Sequence, residues 1–231
     1  DSGKIEELTA VNDKIGVYEI REDLSDKYVE FFKELFNDKK EAWGVVVNGE
    51  KIYDDMPDVK IVINRWLKYS QPYLKETTTE KIRKMIDETP DTLNMLHCDF
   101  HTNNIMSQNG EILLIDMDTL SHGYPVFELA NIYAAYVGFG EVYPVQVEKF
   151  LGLPYETAGY VWKNLLAGYL QTDDAARIKE VENKVRLLWY IRYIQHVARR
   201  EDISKEESEK LVSYSCKQAE NLIDSVDTFV F

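Results

Sequence analysis

Residues 97–104 read His-Cys-Asp-Phe-His-Thr-Asn-Asn, and they hold the side chains of this chain best suited to chemistry. Asp99 and Asn104 stand five residues apart. Twelve residues beyond Asn104 an apolar run, Ile112-Leu113-Leu114-Ile115, ends in Asp116, with Asp118 two residues further on. Phosphoryl transfer asks for few protein groups: a carboxylate that orients and deprotonates the attacking hydroxyl, and oxygen ligands for Mg²⁺. Asp99 is placed for the first task. Asn104 and Asp116 are placed for the second, because amide and carboxylate oxygens suit a hard cation. A carboxylate closing an apolar strand is costly unless it binds metal or hydrogen-bonds, which favours the same role for Asp116. Asp118 is a further candidate ligand, directly or through water, or else a cap for the next segment. His101 and Asn103 line the same loop and are candidates for contact with the nucleotide phosphates, against the plainer reading of satisfied polar loop residues. His97 reads as a packing residue that holds the loop, and Cys98 as a small buried one.

The elements that must position these groups follow from local pattern. Leu93-Asn94-Met95-Leu96 is a short strand leading into the loop. Residues 104–106 and 111–115 flank Gln108-Asn109-Gly110, the signature of a two-stranded turn. Val45 to Tyr53 contains Asn48-Gly49 between apolar runs and predicts a second hairpin. Residues 15–20 have weak strand character. Helical periodicity predicts helices near 25–38, 58–70, 126–137, 144–150, 155–171, 174–200 and 204–225, with Thr79 capping a short one that ends before Pro90. The expected class is α+β and mostly helical, with a small β-hairpin region carrying the candidate catalytic loop. The expected division is an N-terminal segment, 1–56, and a catalytic and acceptor-binding region, 57–231.

The chain has 231 residues and a formal net charge of −14, with no basic run of the kind a nucleic-acid footprint needs. An acidic surface keeps a protein soluble and favours cationic small substrates. The two cysteines, Cys98 and Cys216, form no Cys-x-x-Cys pair, so neither a zinc ribbon nor a disulfide scaffold is indicated. Reduced thiols, no membrane span, no signal peptide and a cytoplasmic setting are the expectation.

Gly123-Tyr124-Pro125-Val126-Phe127-Glu128-Leu129-Ala130 follows the second motif. Together, residues 97–104, 114–118 and 123–130 resemble the aminoglycoside phosphotransferase and choline kinase superfamily. Its usual patterns are His-Gly-Asp-x-His-x-x-Asn-Ile, a strand ending Ile-Asp-x-Asp/Glu, and Gly-x-Pro-x-Phe/Tyr-Asp/Glu-Leu-Ala. The resemblance covers about 57–231. It implies a protein-kinase-like C-terminal lobe, Mg²⁺, ATP or GTP as donor, and O-phosphorylation of a small molecule. It also implies Asp99 as base and Asn104 and Asp116 as metal ligands. Cys98 stands where the family usually has Gly, and Glu128 where Asp is commoner.

A kinase-like enzyme also needs a phosphate-covering loop and a strand lysine. The chain has no Gly-x-Gly-x-x-Gly; Gly138-Phe139-Gly140 lacks the third glycine, and Lys14, Lys51 and Lys60 sit in no convincing strand motif. The expectation is therefore that the N-terminal nucleotide lobe is largely absent. Such a chain alone would bind Mg–nucleotide poorly and turn over slowly or not at all. Two chains could form a homodimer through the face such a lobe would cover. In the resembling family the helical subdomain binds the acceptor. Asp173, Trp189 and Tyr193 are weak candidates here, Trp189 and Tyr193 as aromatic walls for a cationic group, although an aromatic stripe at helical spacing is usually core. Two other readings compete: a non-catalytic, kinase-like binding module, and a metallohydrolase using His97, Asp99 and His101.

Overall fold

The computed structural model describes residues 45–47, 50–52, 57–108 and 111–231. The strand expected at 15–20, the helix expected at 25–38, Lys14, the side chain of Lys51 and the Asn48-Gly49 and Asn109-Gly110 dipeptides lie outside the described residues. Among those described, the chain is mostly helical with three two-stranded antiparallel sheets.

The strands are β1 (Val45–Val47) with β2 (Glu50–Ile52), β3 (Met95–Leu96) with β6 (Ser121–His122), and β4 (Ile105–Gln108) with β5 (Glu111–Leu114). In the β4–β5 ladder Gln108 faces Glu111 and Ile105 faces Leu114. The helices are α1 (Val59–Ser70), α2 (Glu76–Glu88), α3 (Val126–Tyr136), α4 (Pro144–Leu151), α5 (Tyr155–Leu170), α6 (Ala175–Ala198) and α7 (Lys205–Leu222).

Helix starts follow the capping chemistry of the sequence. Asp58 caps α1 by accepting from the Lys60 amide at 2.7 Å, and Ser204 caps α7 by accepting from the Glu207 amide at 3.1 Å. One expectation is corrected. Thr79 does not cap α2: the helix starts a turn earlier, at Glu76, whose acidic side chain suits the positive end of the helix dipole, and Thr79 is buried inside it. Asp174 caps α6, accepting from the Ala176 amide at 2.9 Å, and Asp173 beside it is exposed.

Helix α6 is the spine. It packs against α7, α1 and α3, and its buried residues are distributed around it, from Val181 to Val197, as a helix covered on several sides requires. Every residue of α3 is buried. Full burial of a side chain such as Phe127 is worth about 1.5–3 kcal/mol, so α3 is anchored in the helical core. Gly138 and Gly140 are packing residues: a Cβ at Gly138 would run into the Trp189 indole, and one at Gly140 into the Tyr155 ring. That close contact accounts for the Gly-x-Gly pair without any phosphate.

Candidate active site

β3 and the β4–β5 hairpin together frame the loop that carries Asp99. β3 leads directly into His97, which is fully buried. His97 Nδ1 accepts from the Asp99 amide at 3.3 Å, and Nε2 lies 2.9 Å from the Ile115 carbonyl oxygen. An accepting Nδ1 requires the neutral tautomer with its proton on Nε2, which then donates to Ile115. Thr119 Oγ1 donates to the His97 carbonyl at 2.6 Å. His97 thus ties Asp99, two residues on, to the end of β5, the packing role its position suggested.

The chain then turns through a 3-10 segment, Thr102–Asn104, into β4. The Ile115 amide donates to the Asn104 carbonyl at 2.9 Å, extending the ladder one step past Leu114. Asp116 follows directly in a left-handed conformation, φ 63° and ψ 63°, which Asp tolerates better than most residues. Asn104 and Asp116 therefore stand at the same end of one hairpin.

Asn104 is buried and turns its amide nitrogen toward Asp99, 2.9 Å from the carbonyl oxygen and 3.4 Å from Oδ2. Flipping that amide would set oxygen against oxygen, so the network fixes its orientation. Asn104 Oδ1 faces the other way and receives no hydrogen bond among the described residues. An amide oxygen free of protein donors, with a carboxylate at the same hairpin end, fits a hard divalent cation that takes one or two protein oxygens and completes its shell from phosphate and water.

The Asp99 side chain is 45% exposed and its Oδ2 lies 3.4 Å from His101 Nε2. The hydrogen bond from His101 holds the Asp99 carboxyl below its ordinary 3.8; burial opposes this, and the fields of His101, Arg192 and His97 add to it. Asp99 is therefore ionised and reachable at neutral pH, as a hydroxyl-orienting base must be.

Other candidates fall differently. His101 is buried, packs edge-on against Phe150 with ring centroids 4.7 Å apart, and serves Asp99. Asn103 is exposed, but its amide nitrogen donates to the Phe150 carbonyl at 2.8 Å and so anchors the loop to α4. Lys60 is committed to the Thr89 carbonyl and to Asp91. Asp118 is exposed in the 3-10 turn Met117–Thr119. Trp189 and Tyr193 are corrected as acceptor walls: they stack on each other at 4.8 Å and are 0% and 4% exposed, within the core around Phe139. The metallohydrolase reading loses its first ligand, since both His97 ring nitrogens are engaged. Among the described residues no group of three or more His, Cys, Asp and Glu side chains is placed to hold a metal.

Two residues matter more than their sequence context suggested. Cys98 adopts φ 64°, a conformation that explains why a glycine is usual there. Its amide donates to Glu128 Oε2 at 2.7 Å. Glu128 is 1% exposed, and its Oε1, with the His97 amide nearby, makes no hydrogen bond. Burial pushes the Glu128 carboxyl up to about 8, with the Asp99 charge adding to the rise and the Cys98 amide and Arg192 opposing it. Burial likewise pushes the Cys98 thiol far up, so it is no nucleophile. The second residue is Arg192, on the wall of a cleft of about 500 Å³ between α1, α6 and the 3-10 turn that carries Asp118.

Among the described residues, no helix is long and apolar enough to cross a membrane. No curated protein and no solved structure matches the chain. The phosphotransferase enzyme family does match, over residues 57–160. The matched segment carries all three motifs, with Asp99, Asn104 and Asp116 among its residues, and is consistent with the aminoglycoside phosphotransferase and protein-kinase-like superfamily that those motifs resemble.

Proposed function

We propose that the chain is a small-molecule O-phosphotransferase that uses ATP or GTP as donor. In this reading residues 57–231 form a kinase-like catalytic and acceptor-binding unit in a cytoplasmic protein. Asp99 orients the acceptor hydroxyl. The bond from the γ-phosphorus to the nucleoside diphosphate breaks as a bond forms to the hydroxyl oxygen, and the hydroxyl proton passes to the Asp99 carboxylate. Asn104 Oδ1 and the Asp116 carboxylate would hold Mg²⁺, with Asp118 as a further ligand directly or through water, and the ion would supply charge neutralisation for the phosphates. His97 positions both halves of the site, and His101 keeps Asp99 ionised.

The observation that carries this reading is the pairing of an ionised, half-exposed Asp99 with an Asn104 amide turned so that its oxygen is free, at the hairpin end where Asp116 stands. The presence of all three residue types, Asp99, Asn104 and Asp116, supports an enzyme over a non-catalytic module. The test is transfer of labelled γ-phosphate from ATP or GTP, with Mg²⁺, to small hydroxylated compounds. Wild type is expected to transfer, and Asp99→Asn to lose about 10²-fold or more. Asn104→Ala and Asp116→Ala should shift the Mg²⁺ dependence to higher concentration. Equal transfer by Asp99→Asn would remove Asp99 from the reaction.

A further inference from the structure

The cleft beside the catalytic loop has a charge opposite to that of the molecule around it. Trp66 of α1, Cys98, Asp118, Asn131, Arg192 and Arg199 are among its walls. Cys98 adjoins Asp99 in sequence and Asp118 stands two residues past Asp116, and the Asp99 charge is felt at Arg192, so the cleft lies beside the catalytic frame although Asp99, Asn104 and Asp116 do not line it. Its lining contains two arginines and one carboxylate, Asp118, in a chain whose net charge is −14.

The arginines are held but not neutralised. Arg192 lies over the Trp66 ring, 5.5 Å from its centroid, and Arg199 lies over the Tyr69 ring, also at 5.5 Å. Neither forms an ion pair among the described residues, whereas neighbouring Arg200 is paired with Asp202. Burial pulls the Arg192 guanidinium below its ordinary value, and the fields of Asp99, Cys98 and Glu128 hold it up. A guanidinium stays charged in proteins. A poorly solvated charge without a carboxylate partner is costly unless something else pairs with it, and the planar guanidinium fork matches carboxylate and phosphate oxygens. An amine placed here would meet two positive charges and one negative.

We infer that this cleft is the acceptor site of the phosphotransferase proposed above and that its acceptor is a small hydroxylated anion, a carboxylate or a phosphate monoester, paired with Arg192 and Arg199. The inference rests on that phosphotransferase reading for the word acceptor alone. The anion site itself stands on the cleft and its two arginines. It replaces the cationic acceptor that the acidic net charge favoured, because the sign of the lining, not of the whole surface, acts on a bound molecule.

Four compounds on one three-carbon skeleton test it: glycerate, glycerol 3-phosphate, glycerol and 3-amino-1,2-propanediol. Each is titrated into the full chain without nucleotide, with the shift in melting temperature as readout, and each is then offered as acceptor with Mg-ATP and Mg-GTP. One or both anions should raise the melting temperature, and the neutral and cationic compounds should not; the two anions separate a carboxylate site from a phosphate site. Arg199→Met, at the rim and outside the catalytic frame, should raise the dissociation constant of the anion roughly tenfold or more, with Arg199→Lys retaining part of the affinity. Arg192→Met should do the same if it folds, and Arg199→Met decides the matter if it does not. Binding of the amine or of glycerol as tight as that of the anions overturns the inference, as does anion binding indifferent to Arg199→Met, or no shift with either anion. Anion binding with no phosphate transfer to any compound sinks the phosphotransferase reading and leaves the anion site. Transfer to the amine with no anion effect does the reverse.

Discussion

Replacing Glu128 by glutamine should change how the stability of this protein depends on pH. The carboxyl is 1% exposed and burial raises it from an ordinary 4.5 to about 8. Below pH 4.5 it is protonated in both folded and unfolded chains and contributes no pH dependence. Between 4.5 and 8 the unfolded chain has released this proton and the folded chain retains it, so stability falls as pH rises. Above 8 both states are ionised and the loss is complete. Each unit of difference corresponds to about 1.36 kcal/mol. The full rise therefore removes on the order of 4–5 kcal/mol, a large part of the roughly 5–15 kcal/mol that holds a domain folded. Glutamine keeps an oxygen that can accept from the Cys98 amide and cannot ionise. Urea unfolding of wild type and Glu128→Gln at pH 5, 6, 7 and 8 isolates the effect, because every other titrating group is common to both. The variant should gain on wild type steadily across that range. A stability difference that stays constant from pH 5 to 8 would show that Glu128 ionises normally and that the buried anchor of the Cys98 amide is an ordinary carboxylate.

Three further outcomes follow from particular contacts. His97→Ala removes the bonds to the Asp99 amide and the Ile115 carbonyl and leaves a cavity; urea unfolding should show a loss of about 2–4 kcal/mol, with kcat reduced more than KM. His101→Phe keeps the packing on Phe150 but removes the bond that lowers Asp99, so the Asp99 carboxyl, followed by carbon-13 NMR, should titrate at higher pH than in wild type. Gly138→Ala drives a methyl into the Trp189 ring and should lower the melting temperature, corresponding to about 1–3 kcal/mol, without altering nucleotide-dependent transfer in the protein that remains folded.

Much of the frame was legible because it depends on local pattern. The helices from α3 to α7 follow apolar periodicity, and the antiparallel β4–β5 pair matches the two apolar runs on either side of residues 109–110, which lie outside the described residues. Asp99, Asn104 and Asp116 could be singled out because their types and spacing match one chemistry. What local pattern cannot supply is which face of a helix meets which neighbour. Helix α6 is apolar on several sides, so Trp189 and Tyr193 read as candidate acceptor walls. Packing against Phe139 sends the two aromatic residues to the core, while α1 and Trp66 leave Arg192 on a cleft wall. Glu128 stands where Asp is commoner in the resembling family. Its importance comes from a bond to an amide thirty residues earlier in the chain, and only the placement of α3 against the loop at Cys98 reveals it. The left-handed backbone at Cys98 had a single sequence signal, the glycine usual at that position in the resembling family.

The central claim is that Asn104 and Asp116 hold one divalent ion beside the Asp99 carboxylate. Paramagnetic broadening by Mn²⁺, read in an amide NMR spectrum of the full chain with ATP present, tests it most directly. The amides of Asn104, Ile105, Ile115 and Asp116 should broaden first and together, and Asp116→Ala should abolish the effect at the other three. Broadening centred elsewhere in the chain, or unchanged by that substitution, would contradict the account.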